Sequence, residues 1–493
     1  MTHAGTLAGP AVEAMKDLHT DLFIDNAWRP AQSGKRFEVV NPATEEVIAE
    51  VAAAQAADID AAVTAARGCF ESDAWRNLSA HERGKLLSRA ADLLAERLPR
   101  VAALETLHNG KPLFESKIDV SMTVDTLRYY AGWADKISGA TLPLNPAFFG
   151  YTLKEPVGVV GAIVPWNFPL NLASWKFAPA LAAGCTVILK PATETPLTAL
   201  AMAQIMLDAG FPPGAFNVTP GGGSSAGSAL VKHPGVDKIA FTGSTEVGKQ
   251  IMRDAADTVK RISLELGGKS PNIVFADADL TAAIKGAQNG IFYGKGEVCA
   301  AGSRLLVEKS VHDQVIEQLA ERAKRLAPGD PFDKGTRLGA VVSKKQQATV
   351  MSYVEAGKKE AHLVAGGNAA SVNGKGYYVE ATVFDGAKPG MKIVDEEIFG
   401  PVLSVLTFEG VDEGIELANR TMYGLAAGIW TRDISKAHHV ARSIKAGTVW
   451  INTYNQYDPA APFGGYKASG FGRDLGREAL DGYLETKSVW VGL

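Results

Sequence analysis

The sequence predicts an α/β fold built on parallel sheets that helices cover on both faces. Three observations predict it: continuous apolar strands, helical segments between them, and a restart of the same alternation after residues 267–268. Strands that are apolar at every position belong to sheets with both faces buried. Where they alternate with helices, the pattern is typical of a doubly wound, nucleotide-binding sheet.

The N-terminal part of the chain has a different pattern. Residues 20–53 contain short apolar runs separated by turns, which predict a small antiparallel piece. Residues 58–138 repeat apolar side chains every three or four positions, for example between Leu86 and Leu98. This spacing predicts helices.

The parallel region then follows in order along the chain. Its predicted strands are residues 158–164, 185–190, 215–219 and 238–242, and its predicted helices end near Ala183 or span residues 197–209 and 225–232. A second α/β domain is predicted from strands at 272–275, 304–307 and 401–405 and a helix at 311–325. The apolar run at 488–491 predicts a last strand, which pairs either with another subunit or with its own sheet.

Composition excludes several classes of function. The 493 residues allow two or three domains, and a net charge of −4 offers no basic field for nucleic acid or for a membrane. Three cysteines match neither a disulfide framework nor a zinc site, so we predict no metal site and a reducing, cytoplasmic location. The first twenty residues lack the pattern of a secretory signal, and prolines interrupt the uncharged stretches 156–175 and 209–231.

Cys299 is the candidate nucleophile. It lies among small residues in GKGEVCAAGSR at 294–304, so little bulk shields its sulfur from a substrate carbonyl. Nearby backbone N–H groups could face a developing oxyanion. The alternative is a small buried apolar residue, which is how Cys69 and Cys185 are interpreted.

Two further segments carry candidate polar groups. Asn167, between two prolines just after the first parallel strand, could donate to an oxyanion, although asparagine is also common in such turns. Glu265 lies between leucines beside a Gly-Gly turn, where poor solvation would raise its pKa and suit it as a general base. The alternative for Glu265 is a glutamate at a strand end that points to solvent.

A candidate phosphate site lies where a strand meets a helix at FTGSTEVGK, residues 241–249. Gly243 permits a tight turn, and the N–H groups of Ser244 and Thr245 would point outward at a helix N-terminus. An ordinary Ser/Thr-capped helix is the alternative interpretation.

Six motifs in order resemble the aldehyde dehydrogenase superfamily over nearly the whole chain, from Phe23 to Val491. They are PWNFP (165–169), FTGSTEVG (241–248), LELGGKSP (264–271), GKGEVCAAGSR (294–304), EEIFGP (396–401) and PFGGYKASG (462–470). The resemblance implies two Rossmann-like doubly wound domains, one binding the cofactor and one catalytic, plus a small β oligomerisation element.

The resemblance also implies domain boundaries. The dinucleotide-binding domain is expected to comprise residues 1–133 and 157–267, and the catalytic domain residues 268–470. Residues 134–156 and 471–493 are expected to form an oligomerisation or bridging segment of a homodimer or homotetramer.

Individual roles follow from the same resemblance. Cys299 is the expected nucleophile and Glu265 the base, Asn167 and the Cys299 N–H form the oxyanion hole, and Lys176 supports the hydrogen-bond network. The expected cofactor-binding residues are Trp166, Lys190, Thr193, Gly243, Ser244, Glu397 and Phe399. The expected substrate-pocket residues are Phe168, Leu172, Trp175, Tyr293, Tyr457 and Phe463.

The implied reaction oxidises an aldehyde to a carboxylic acid with NAD or NADP. The thiolate forms a hemithioacetal, hydride leaves for the nicotinamide, and water activated by Glu265 opens the resulting thioester. The aromatic pocket favours an apolar or aromatic aldehyde, or a quaternary ammonium such as betaine aldehyde. The alternatives are a CoA-acylating dehydrogenase, a silent structural protein with the same fold, and a nucleotide-binding regulatory module.

Departures from the family pattern produce three further expectations. Thr193 replaces a common glutamate, and its hydroxyl would not repel a 2′-phosphate, which predicts tolerance of NADP as well as NAD; the carboxylate of Glu194, next to it, acts against that tolerance. Glu297 replaces the usual glutamine, and Gly294 a usual asparagine; a carboxylate at 297 should raise the pKa of Cys299 unless Lys295 offsets it. Arg477 stands at a position where some relatives carry a glutamate that acts in a proton relay, and Glu478 is adjacent to it.

Overall fold

The structure is a computed structural model that describes residues 10–493; residues 1–9 of the predicted dinucleotide-binding domain lie outside the described residues. The helices are α1 (Pro10–Met15), α2 (Ala56–Glu71), α3 (Asp73–Arg76), α4 (Ala80–Glu96), α5 (Leu98–Asn109), α6 (Leu113–Trp133), α7 (Pro169–Ala183), α8 (Leu197–Ala209), α9 (Ser228–Lys232), α10 (Thr245–Ala255), α11 (Leu280–Phe292), α12 (His312–Lys324), α13 (Lys344–Glu360), α14 (Lys392–Asp395), α15 (Gly410–Asn419), α16 (Ile434–Ser443) and α17 (Glu478–Asp481). The strands are β1 (Leu22–Ile24), β2 (Ala27–Arg29), β3 (Arg36–Asn41), β4 (Glu46–Ala52), β5 (Thr141–Leu142), β6 (Phe148–Pro156), β7 (Val159–Ile163), β8 (Thr186–Lys190), β9 (Phe216–Val218), β10 (Lys238–Thr242), β11 (Arg261–Glu265), β12 (Pro271–Val274), β13 (Arg304–Glu308), β14 (His362–Ala365), β15 (Ala369–Val372), β16 (Lys375–Val379), β17 (Thr382–Asp385), β18 (Val402–Phe408), β19 (Ala426–Trp430), β20 (Thr448–Ile451), β21 (Gly470–Phe471) and β22 (Leu484–Gly492).

The first sheet has the strand order β2-β1-β9-β8-β7-β10-β11-β21. Its five central strands, from β9 to β11, are parallel, and antiparallel strands flank them. The chain runs outward from β7 through β8 to β9 and then returns to the other side of β7 with β10. Such a reversal opens a crevice at the carboxyl ends of the strands, where the loops after β7 and β10 lie.

Helix α7 lies under this crevice and is buried at every position. Pro169 occupies its first turn, where the missing N–H costs no hydrogen bond. The helix ends at Gly184, whose φ of +96° is a left-handed conformation that glycine adopts readily. A helix buried on all sides can therefore carry site residues without exposing them to solvent.

The second sheet has the order β14-β17-β18-β13-β12-β19-β20, and all its pairs except β14–β17 are parallel. It begins with β12, directly after the turn that follows β11. The prediction of two helix-covered parallel sheets is confirmed. One predicted helix differs: residues 223–227 form a π-helical turn, and only Ser228–Lys232 is α-helical.

The third sheet, β22-β6-β5, is antiparallel. Its last strand, predicted at 488–491, is longer and pairs with β6 from Leu484 opposite Pro156 to Gly492 opposite Phe148. Strand β21 joins the first sheet, whereas the predicted boundary after residue 470 divides it; the domain boundaries otherwise stay a prediction. Among the helices of residues 10–493, none combines the length and apolar character needed to cross a membrane.

Candidate active site

Three segments distant in sequence bring Asn167, Glu265 and Cys299 together. Asn167 follows β7, Glu265 is the last residue of β11, and Cys299 precedes β13. The Asn167 side-chain Nδ2 donates to the backbone oxygen of Glu297, 2.9 Å away and two residues before Cys299. A Cβ added to Gly268 would lie 2.3 Å from the Cys299 carbonyl oxygen, so the turn after Glu265 packs directly on the Cys299 backbone.

Cys299 is partly exposed on the wall of a cavity of about 680 Å³. Burial raises the pKa of its thiol to about 12, and the carboxylates of Glu397 and Glu265 add to this increase. The backbone N–H groups of Ala300 and of Cys299 itself act in the opposite direction and lower that pKa. The thiol therefore needs a base, or a change in its surroundings, to become a thiolate near neutral pH.

Glu265 is buried, and within residues 10–493 neither of its carboxylate oxygens has a hydrogen-bond partner. Burial first, and then the charge of Asp474, raises its pKa well above the ordinary range, while Lys176 and Arg473 act in the opposite direction. A carboxylate with this environment holds a proton more strongly than an exposed one and is a stronger base when ionised.

Lys176, on α7, forms a buried ion pair with Asp474. Burial raises the pKa of Asp474, and the ammonium of Lys176 opposes that increase. The carboxylate beside Lys176 is Asp474, whereas Arg477, which departs from the relay glutamate of some relatives, lies at the N-cap of α17. The missed signal was an acidic residue three positions before Arg477.

The structure realises the exception allowed for Glu297, because Lys295 offsets its charge. Its Oε2 lies 2.8 Å from the Lys295 ammonium, and its Oε1 accepts a hydrogen bond from the Val342 N–H at 3.0 Å. The carboxylates that raise the pKa of Cys299 are Glu397 and Glu265. The counter-ion at Lys295 and the direction of the side chain explain the difference.

The cavity beside Cys299 has a cluster of aromatic side chains on its wall, together with polar and charged ones. The structure places on its wall all six residues expected for the substrate pocket: Phe168, Leu172, Trp175, Tyr293, Tyr457 and Phe463. It also adds one face of α6, which sequence reasoning missed, although the spacing of three and four residues was readable: Phe114, Glu115, Ile118, Asp119 and Met122. Trp175 and Phe463 make an edge contact with ring centroids 5.5 Å apart.

Candidate cofactor residues occupy the crevice of the first sheet. Lys190, the last residue of β8, is buried and donates to the Pro191 carbonyl at 3.0 Å; burial lowers its pKa to about 8. The Thr193 hydroxyl donates to Glu194 Oε2 at 3.1 Å, so a carboxylate does stand beside Thr193. Ser244 caps α10 by accepting from the Val247 N–H.

The remaining candidates link the two sheets. The Gly243 N–H donates to the Glu265 carbonyl at 3.0 Å, which fixes the turn after β10 against the end of β11. Glu397 accepts from the Gly268 N–H at 2.9 Å, and burial raises its pKa to about 7. Trp166 and Phe399 meet edge to face with centroids 5.2 Å apart.

The family's sequence model, described as the aldehyde dehydrogenase family, matches residues 28–489. The chain belongs to the aldehyde dehydrogenase family. The Bacillus subtilis (strain 168) protein DhaS is 51% identical to this aldehyde dehydrogenase over 474 residues, covering 96% of this chain and 95% of its own. The resemblance inferred from six motifs is confirmed.

Solved structures agree with that assignment. An NAD+ complex of a Bacillus cereus aldehyde dehydrogenase has a TM-score of 0.97 and 51% identity, with 99% of each chain covered. The indole-3-acetaldehyde dehydrogenase AldA of P. syringae, solved as a cysteine-to-alanine mutant with NAD+ and IAA, has a TM-score of 0.96 and 45% identity, covering 100% of each chain. This aldehyde dehydrogenase is an NAD(P)-dependent enzyme.

Proposed function

We propose that this enzyme oxidises an aldehyde to its carboxylic acid through a covalent intermediate on Cys299, which water activated by Glu265 hydrolyses. The observation that carries the proposal is the convergence of three groups beside one aromatic cavity. Cys299 lies on the cavity wall, within the electrostatic reach of Glu265, and its loop accepts a hydrogen bond from Asn167.

In the first step the Cys299 thiol gives its proton to solvent water, and the resulting thiolate adds to the aldehyde carbon. The carbonyl oxygen becomes an oxyanion, which the second N–H hydrogen of Asn167 and the backbone N–H of Cys299 stabilise. The Cys299 N–H suits this role because it belongs to the residue whose sulfur forms the new bond. The product is a hemithioacetal on Cys299.

The residues present fit NAD(P). Within the described part of the chain, the Lys190 ammonium donates to one carbonyl and Glu397 accepts from one backbone N–H, so both retain hydrogen-bonding capacity for ribose hydroxyls. Ser244, at the start of α10, would hold the pyrophosphate, and Trp166 and Phe399 would lie beside the nicotinamide ring. When bound, the cofactor accepts the hydride.

Hydrolysis of the thioester then requires a base. Glu265 takes a proton from water, and its buried, unpartnered oxygens leave it available for that purpose within residues 10–493. Lys176 and Asp474 form a buried pair whose charges act on Glu265. This base is what favours hydrolysis over transfer to CoA.

The substrate class follows from the cavity wall. Its aromatic rings favour an apolar or aromatic aldehyde, consistent with the aromatic aldehyde named for AldA of P. syringae. The 680 Å³ volume accommodates a side chain of that size.

An NADH-absorbance assay tests the proposal with an aldehyde panel, both cofactors, and CoA present or absent. Activity without CoA, and a loss of at least about 10⁴-fold in Cys299→Ser, are expected. A Cys299→Ser variant as active as the wild type, or a strict requirement for CoA, would contradict the mechanism.

The β6–β22 sheet supports a homo-oligomer. Phe148, Phe149 and Trp490 are each about half exposed on it, and the Phe148 and Trp490 ring centroids lie 5.9 Å apart. Clustered exposed aromatic rings mark interaction surfaces. Light scattering should give a dimer or tetramer for the wild type and a smaller species for Trp490→Asp; a monomeric wild type would contradict it.

A further inference from the structure

Three consecutive residues before the nucleophile have a left-handed backbone. The φ angles are +58° at Gly294, +63° at Lys295 and +69° at Gly296. Glycine adopts this conformation readily, but lysine does so at an energetic cost. A lysine in this conformation persists where its surroundings hold it, so the contacts of Lys295 carry information.

The Lys295 ammonium is buried and reaches three acceptors. Nζ donates to the Asn109 backbone oxygen at 2.8 Å and to Asn109 Oδ1 at 2.7 Å. It also forms an ion pair with Glu297 Oε2 at 2.8 Å. The ammonium therefore combines two hydrogen bonds to Asn109 with one ion pair to Glu297. Lys295 thereby joins the end of α5 to the loop that carries Cys299.

Both partners of Lys295 contact the loop that carries Asn167. The Asn109 Nδ2 donates to the Trp166 carbonyl at 2.7 Å, and the Glu297 carbonyl accepts from Asn167 Nδ2 at 2.9 Å. Among residues 10–493, Asn167 Oδ1 has no hydrogen-bond partner. The Glu297 carbonyl therefore decides which way the amide is turned and leaves the second N–H hydrogen for another acceptor.

We propose that Lys295 is a positioning residue that orients the Asn167 amide toward the oxyanion, acting through Glu297 and Asn109. The inference rests on the oxyanion role given to Asn167 in the proposed function. Without Lys295, Glu297 becomes a buried carboxylate with no counter-ion among its present contacts, and burial disfavours that state strongly. It then takes up a proton or turns away, and its carbonyl moves with it.

The experiment places Lys295→Gln in the wild type and in an Asn167→Ala background. In the wild type, kcat/KM for the aldehyde should fall about 10- to 30-fold; in Asn167→Ala, the same change should cost less than about twofold. The KM for NAD and the rate of Cys299 alkylation by iodoacetamide should stay unchanged. A general loosening of the site would alter both quantities.

The matched control is Lys295→Gln/Glu297→Gln, which removes both buried charges and should recover most of the lost activity. If Lys295→Gln does not fold, the double variant serves as the starting point instead, and Asn109→Ala is added to it. Asn109→Ala should then lower kcat/KM only where Asn167 is present. Equal losses from Lys295→Gln in both backgrounds would overturn the inference while leaving the proposed reaction intact. Wild-type activity in Asn167→Ala alone would instead overturn the oxyanion role.

Discussion

Glu265 and Glu297 are two buried carboxylates near the same nucleophile, and they differ in what surrounds them. Glu265 has no hydrogen-bond partner among the described residues, and its pKa is raised well above the ordinary range by burial and by Asp474. Glu297 has a counter-ion in Lys295 and a donor in the Val342 N–H. The difference separates a group left available for chemistry from a group used to hold a loop.

The comparison has a general consequence for interpreting acidic residues near a nucleophile. Glu297 is two residues from Cys299, whereas Glu265 is 34 residues away. The carboxylates that raise the pKa of Cys299 are nevertheless Glu397 and Glu265, because direction and partners decide which charge the sulfur experiences.

The largest expected effect distinguishes the two carboxylates directly. Glu265→Gln should lower kcat by about 10²- to 10⁴-fold because it removes the base proposed for thioester hydrolysis. A burst of NADH should remain, since hydride transfer precedes hydrolysis. Glu297→Gln, the matched control, should change kcat less than about threefold, because Lys295 keeps both Asn109 contacts.

Stopped-flow absorbance measures the NADH burst. Intact mass spectrometry of Glu265→Gln detects the acylated Cys299. Equal losses in the two variants, or no burst and no acyl-enzyme in Glu265→Gln, would remove the distinction between them.

A smaller effect is expected at a third carboxylate, Glu194. Its Oε2 accepts from the hydroxyl of Thr193, the residue expected to lie near the cofactor ribose, so its charge would oppose a 2′-phosphate there. Glu194→Gln should raise kcat/KM for NADP about tenfold and leave that for NAD within about threefold. Thr193→Val is the control and should not raise the NADP value. An unchanged NADP-to-NAD ratio in Glu194→Gln would place the selecting charge elsewhere.

The smallest expected effect concerns the thiol itself. Because the pKa of Cys299 is about 12, its alkylation by iodoacetamide should become tenfold faster per pH unit from pH 7 to pH 9. The pKa of Glu397 is about 7, so Glu397 is ionised at pH 9 and opposes the thiolate. Glu397→Gln should therefore speed alkylation at pH 9 about threefold, and Glu297→Gln should leave it unchanged.

This measurement uses the enzyme without NAD, and circular dichroism confirms that both variants are folded. If alkylation were faster in Glu297→Gln and unchanged in Glu397→Gln, Glu297 would be the carboxylate that opposes the Cys299 thiolate.

Local patterns were enough for most of the fold. The prediction of a helix at 197–209 matches α8, and a strand at 238–242 matches β10, because apolar spacing and the following glycine or turn residues mark both ends. The last strand was predicted too short because five of the nine positions from Leu484 to Gly492 are polar or glycine, so its pairing with β6 determines its length.

The candidate site depended on more than local patterns. The motifs indicated Cys299 and Asn167, whose positions depend on turns within short segments of this chain. Asp474 was missed because it meets Lys176 across 298 residues, a distance at which no periodicity operates. The direction of Glu297 depends on three left-handed residues in succession, which residue types alone do not specify when one of them is lysine.

The pairing of β6 with β22 also constrains how the chain reaches its native state. Residues 148–156 pair with residues 484–492, so this sheet can form only after both larger domains have been synthesised. Until then, the rings of Phe148 and Phe149 lack their partner strand, and a nascent chain exposes them to other molecules. Chaperone binding during translation should therefore concentrate on the antiparallel pair β5–β6 rather than on the parallel sheets.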